Sequence, residues 1–195
     1  MAKDHTEIKM KIKLAAKKVF ALYGYDGASI KRIGQEADIN SALISYYFGG
    51  KEPLFLEIIQ DGFQHSVWEE PSLYDIRSEV RNFIKRVIRF RRKDPDFFSM
   101  LNQEMNMQSA RKEKIVKLIL VMWERLFILL EAGKSQGIFE FKSSRYTVLM
   151  IMGVTLFTEN ICLMDAMHMN DVSEELKEKA MIDFILSGIE ARASN

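Results

Sequence analysis

Proline occurs at only three positions in this 195-residue chain, Pro53, Pro71 and Pro95, and between them apolar residues recur at helical spacing. No segment alternates apolar and polar residues as a half-buried strand would. Long helices are therefore permitted and nothing competes with them, so the expected fold is all-α, with about nine helices. Ile8, Ile12, Ala15, Ala16, Val19 and Phe20 form the stripe of a first helix that Thr6 can cap and Gly24 can end. Ser29 caps a second helix through Ala37, and Asn40 or Ser41 caps a third that runs to about Tyr47, where Gly49-Gly50 stops it. A fourth begins at Lys51-Glu52-Pro53, since proline is tolerated in a first turn. Longer helices follow over 74–93, 95–107, 110–135 and 143–168, and a last one from Ser173 to about 192.

Composition narrows the function classes. The formal net charge is +1, so binding to nucleic acid would have to rest on a local surface rather than on total charge. A single cysteine, Cys162, permits no disulfide within the chain and suits a reducing cytoplasm. The opening residues "MAKDHTEIKMKIKLAAKKVF" scatter charge through any apolar stretch, unlike a signal peptide. The most apolar run, residues 146–164, is broken by Thr155, Thr158, Glu159 and Asn160, so it is expected to be a buried helix and no membrane partner is expected.

Two short helices separated by Asp38-Ile39-Asn40 read as a helix-turn-helix. So tight a turn favours a residue that accepts a left-handed backbone, and aspartate is one of the few besides glycine that do. Ile33, Ala37, Ile39, Ile44 and Phe48 can share a small core with the first helix. The opposite face of the third helix carries Asn40, Ser41, Ala42, Leu43, Ser45, Tyr46 and Tyr47, small or hydrogen-bonding residues that can enter a major groove. Lys31, Arg32 and Lys51 flank it and can neutralise phosphates, as can the helix N-termini at Ser29 and Lys51.

The stretch 15–55, "AAKKVFALYGYDGASIKRIGQEADINSALISYYFGGKEPLF", resembles the DNA-binding domain of TetR-type (tetracycline-repressor-like) transcriptional regulators. The likeness extends over about 6–66 and rests on the Ala-Ala…Phe…Gly-Tyr helix, Ser29, the Ile33…Ala37 pair, and Tyr47-Phe48 followed two residues later by Lys51-Glu52. It implies phosphate contacts from Ser29 and Lys51, a backbone contact from Tyr46 or Tyr47, and base contacts from positions 41–45. Beyond this stretch the chain resembles the family only in being long and helical. The chain departs from the family pattern at Asp38, where glycine is usual, at Gly34, where alanine is usual, and at Ser45, often tyrosine.

Other features are weaker. The basic run Lys85, Arg86, Arg89, Arg91, Arg92 and Lys93 is read as a solvated helix face rather than a second DNA contact. His5, His65 and His168 do not cluster as metal ligands, and Asp165 with His168 alone is too few. Gly133-Lys134-Ser135 ends like a phosphate loop, but Ile128 stands where that loop requires glycine. No nucleophile–base pair is visible, so neither an enzyme nor a cofactor is expected.

The expectation is thus residues 1–50 as a helix-turn-helix DNA-binding domain and 51–195 as a helical effector-binding and dimerisation domain. The partners would be a palindromic double-stranded operator and a second copy of the chain. The resemblance implies that the helices over 143–168 and 173–192 pair with their copies, consistent with Met181, Ile182, Phe184, Ile185, Leu186 and Ile189 on the second, and it also implies a cavity for an apolar effector. Helical spacing selects Phe98, Leu101, Met105, Met122, Leu126, Met152 and Phe157 as its lining, with Glu104, Glu159 or Asn160 either at a polar end or paired with Arg125 or another cation. A same-fold regulator without an effector, and a helical enzyme or carrier, are the rivals.

Overall fold

The computed structural model describes residues 2–64, 73–157, 161–168 and 171–191. The described residues form ten helices and no strand. The chain divides into two compact units, Met1–Val67 with Asp94–Ile119, and Trp68–Lys93 with Leu120–Asn195. The packing division thus returns residues 94–119 to the N-terminal unit instead of falling at residue 50.

In the first unit α1 (Ala2–Gly27) is the central element, packing on α2 (Ile30–Glu36), α4 (Lys51–Gln64) and α6 (Pro95–Asn106), while α3 (Ala42–Phe48) packs on α4. The stripe predicted from spacing carries this: Ile12, Ala15, Ala16, Val19 and Phe20 are all buried. Charged residues beside the stripe make the links between helices. Lys13 bridges to Glu57 and Asp61 of α4 at 2.6 Å each, and Lys17 reaches Asp94 at 2.5 Å. Asp94 also caps α6 by accepting from the backbone N–H of Phe97 at 3.1 Å, with Pro95 preset for the first turn. Gly24 does not simply end α1. Its backbone (φ 68°, ψ 174°) kinks the helix, which takes one more turn to Gly27.

The second unit packs α5 (Ile76–Lys93) on α8 (Ser144–Phe157) and α10 (Glu174–Ile189). α5 buries Ile76, Val80, Phe83, Ile84, Val87 and Ile88, with Phe83 edge-on to Trp123 of α7 (Lys112–Ser135) at 5.5 Å between ring centroids. A Cβ on Gly133 would fall 2.2 Å from the Phe139 ring, so α7 needs glycine there to let that ring in. Of the helix expected over 143–168, the described residues hold α8 and α9 (Ile161–Ala166). α10 ends at Ile189, before the expected 192, because Glu190 pairs with Phe139 in an isolated antiparallel bridge closed by Glu140 N–H to Ile189 C=O at 2.8 Å.

The basic run on α5 also differs from the solvated face expected of it. Arg91 is buried, Arg89 bonds Glu178 at 3.2 Å, Arg92 bonds Glu174 at 2.8 Å, and Lys85 approaches Glu178 at 3.7 Å. Arg86 approaches Glu79 of α5 itself at 3.9 Å, while Lys85, Arg89 and Arg92 form a seam of ion pairs to α10. Periodicity alone could not reveal this, because the acids lie some ninety residues along the chain.

Candidate nucleic-acid interface

Local chemistry builds the helix-turn-helix. Ser29 is extended and its Oγ accepts from the Arg32 backbone N–H at 3.1 Å, which starts α2. Asp38 adopts the left-handed backbone (φ 47°), which turns the chain at the break. Asn40, rather than Ser41, caps α3: its Oδ1 accepts from the Ala42 N–H at 2.9 Å, while Ser41 makes no side-chain cap bond. Gly34 lies against this turn. A Cβ there would be 3.0 Å from the Ser41 Cβ and 3.2 Å from the Ile39 carbonyl, so the departure from alanine lets α3 start closer to α2. Gly49 ends α3 in the left-handed conformation (φ 79°).

Ile33, Ala37, Ile44 and Phe48 are buried as expected, and Ile39 is half-buried. On the other side Ser29, Lys31, Arg32, Asn40, Ala42, Ser45 and Tyr46 are exposed, and Ser41, Leu43, Tyr47 and Lys51 are half-buried. The expected groove-entering residues therefore share one accessible side of α3.

Several are already engaged within the protein. The Lys51 ammonium donates to the carbonyls of Tyr25 (2.9 Å) and Ala28 (3.0 Å) and lies 4.2 Å from the centre of the Tyr25 ring. Arg32 donates to the Gly27 carbonyl at 3.0 Å and stacks over Tyr23 at 4.0 Å. These bonds clamp the 23–28 segment to the N-termini of α2 and α4 and still leave donors on both cations. The Tyr47 hydroxyl is 2.9 Å from Nδ1 of His5, so the first turn of α1 touches α3. Sequence reading gave His5 no role, since nothing in its neighbours signals a partner forty-two residues away.

Residues 12–58 match the family model described as bacterial regulatory proteins, tetR family. That segment is similar to the DNA-binding part of tetR-family regulators. It is 29% identical over 132 residues to the HTH-type transcriptional repressor NicS of Pseudomonas putida, covering 64% of this chain and 62% of that protein. It is 27% identical over 114 residues to the repressor AcnR of Corynebacterium efficiens, covering 49% of this chain and 61% of that one. The chain thus spans less than two thirds of those relatives. Its fold follows that of HlyIIR, a hemolysin II transcriptional regulator, with a TM-score of 0.74 and 26% identity over 96% of this chain and 99% of that one.

The residues expected to line an effector pocket divide between the two units. Phe98, Leu101 and Met105 of α6 belong to the first, and Met122, Leu126 and Met152 to the second. Phe98, Leu101, Met122 and Leu126 are buried, and Met105 and Met152 are half-buried. Phe157 closes α8, but its side chain is outside the described residues, as are Glu159 and Asn160. Glu104 is buried and pairs with Arg111 at 3.1 Å, so it serves an ion pair instead of a ligand's polar end.

Among the described residues, no helix is long and apolar enough to cross a membrane, and no group of three or more His, Cys, Asp or Glu is placed to hold a metal ion. His168 is exposed, at φ 54°, while His65 and the Cys162 side chain are outside the described residues.

Proposed function

We propose that the chain is a sequence-specific, cytoplasmic DNA-binding regulator of transcription that binds a palindromic operator as a homodimer. The observation that carries this reading is the accessible side of α3, with Asn40, Ala42, Ser45 and Tyr46 exposed opposite a buried Ile44 and Phe48. Base contacts then come from positions 41–45, and phosphate contacts come from Ser29, Lys31, Arg32, Tyr46 or Tyr47, and Lys51. Selection of bound fragments from genomic DNA tests it. Recovery of one palindromic sequence supports the reading, and recovery proportional to input defeats it.

Lys51 has two duties in this reading, so its loss has two signatures. Lys51→Ala should lower the salt slope of operator binding by about one unit per subunit. It should also loosen the 23–28 segment. Ser45→Ala should leave the slope alone and redistribute base preference by about 1–3 kcal/mol at one position. A salt titration on operator and scrambled duplexes separates the two, and an unchanged slope for Lys51→Ala would remove that phosphate contact.

The finer reading is repression relieved by a largely apolar effector. The names of NicS and AcnR as repressors support the first half. A ligand that favours a dimer of altered reading-head spacing would shift the population off the operator, whose half-sites lie about 34–36 Å apart. Met152→Trp, which adds bulk at a half-buried α8 position, should leave operator binding intact and block release by the inducer. Release that persists in this variant would exclude Met152 from the effector site.

A further inference from the structure

We infer that His5, on the first turn of α1, is a positioning residue for DNA binding: it sets the direction of the Tyr47 hydroxyl proton and so makes the hold on a DNA phosphate depend on pH. This rests on the regulator reading above, and within it selects Tyr47 rather than Tyr46 as the phosphate contact. Nδ1 of His5 lies 2.9 Å from the Tyr47 hydroxyl oxygen, and the two rings meet edge to face with centroids 5.6 Å apart. Both residues belong to the first unit. His5 is exposed and Tyr47 half-buried, so the pair stands open to a phosphate beside α3.

The hydrogen bond between them can form in two ways, and only one leaves a donor for DNA. With Nδ1 bare, the hydroxyl donates to the ring and its proton is spent; the phenol then offers an incoming phosphate only lone pairs. With a hydrogen on Nδ1, the ring donates to the hydroxyl oxygen, and the hydroxyl proton is free for a phosphate oxygen. An imidazolium always carries that hydrogen, whereas a neutral ring divides between two tautomers. Protonation of His5 therefore commits Tyr47 to donate outward and places a positive charge directly behind the bond. Hydrogen bonds with an ionised member are roughly twice as strong as neutral ones.

The groups around the pair suit an anion. From α3, Tyr46 meets the Tyr47 ring edge-on at 5.0 Å. On α1, Lys9 follows His5 by one turn and lies over the Phe48 ring at 5.6 Å, and Lys11 donates to the Asp38 carbonyl at 3.5 Å. Both lysines are exposed. Glu7, two positions along from His5, is on the far side of the helix. A phosphate that neutralises these lysines also compensates an imidazolium at His5. Duplex binding and proton uptake are then reciprocal, and affinity rises as pH falls.

The test titrates the full chain with the duplex recovered by genomic selection, and with a scrambled duplex at low salt, because a phosphate contact carries no sequence information. Ionic strength is fixed and pH runs from about 8.5 to about 6, the window in which histidine changes charge. The parent's affinity should rise about three- to tenfold, and its salt slope should steepen by up to about one unit per subunit. His5→Gln keeps a hydrogen-bonding group without the titratable proton and should flatten the profile to within about twofold. Tyr47→Phe keeps the ring without the hydroxyl and should lose most of the pH dependence although His5 still titrates. Any part of the profile owed to His65 or His168 persists in both variants.

A flat parent profile overturns the inference, as does one that survives His5→Gln. A profile lost in His5→Gln but kept in Tyr47→Phe means that His5 meets DNA directly, and overturns its action through Tyr47. If the selected duplex is bound specifically with one profile in all three proteins, the regulator reading stands and His5 falls. If selected and scrambled duplexes bind alike with the expected proton linkage, His5 stands and sequence specificity falls. Absence of binding to either duplex removes both.

Discussion

Replacing Glu104 with alanine should cost the protein about 3–5 kcal/mol, the usual loss when one member of a buried ion pair is removed. The Glu104 side chain is 3% exposed and that of Arg111 12%. Arg111 Nε lies 3.1 Å from one carboxylate oxygen and its Nη2 3.3 Å from the other, and the Ser109 hydroxyl donates to the first. The same guanidinium stacks on Tyr25 at 3.5 Å. Without the carboxylate, either the cation stays desolvated or Arg111 swings out and gives up the ring. Each route loses a specific set of contacts. The paired change Glu104→Met with Arg111→Met removes both charges at similar volume and should lie much closer to the parent, because a buried pair offsets its attraction with desolvation. Urea unfolding of the three variants measures this. A Glu104→Ala protein within 1 kcal/mol of the parent would show that the pair is solvated in practice.

Glu104 also illustrates what could be read in advance. Its place in "FFSMLNQEM" marked it as a polar residue in apolar surroundings, for a ligand's end or a cation, but did not say which. Arg111 is reachable only because α6 ends at Asn106 and the chain turns back within five residues. The helix-turn-helix was legible almost residue by residue because its determinants are local: a Ser29 cap, a left-handed Asp38, an Asn40 cap and a Gly49 stop all act within three or four positions. The second unit was legible only as a set of helices. Ion pairs such as Arg89 with Glu178 and Arg77 with Glu190 join residues 89 and 113 apart, and no local pattern encodes them. The α10 residues expected to meet a partner copy show the same limit. Met181, Ile182, Ile185, Leu186 and Ile189 instead fill the core of their own unit, and of the six only Phe184 remains exposed.

That leaves Phe184→Glu as the change expected to matter most for function. Phe184 is 70% exposed, an unusual position for a phenylalanine, and Leu176, Ala180 and Gly188 lie on its stripe at successive four-residue steps. All three are exposed, and a Cβ on Gly188 would meet nothing within 4 Å, so this stripe has open approach. On α8, Tyr146, Leu149 and Met150 form a second exposed apolar stripe at helical spacing, continued by Gly153, where a Cβ likewise meets nothing. Both stripes lie in the second unit, and together they fit a self-complementary interface of the proposed homodimer. In a two-fold interface every residue occurs twice, so a charge placed there is buried twice. If Phe184 anchors that interface at a typical 2 kcal/mol or more per copy, the dimer weakens by about 4 kcal/mol, close to a thousandfold. The folded monomer should be nearly unaffected, within about 0.5 kcal/mol, because the side chain makes few contacts in its own chain. Operator binding should fall with the dimer, since a single reading head keeps only one half-site. Phe184→Leu, which keeps the interface apolar, should retain both. Light scattering at micromolar concentration beside operator titration reads the result. A Phe184→Glu chain that remains dimeric would move the interface off α10, while one that is monomeric yet binds operator at full strength would remove dimerisation from the mechanism.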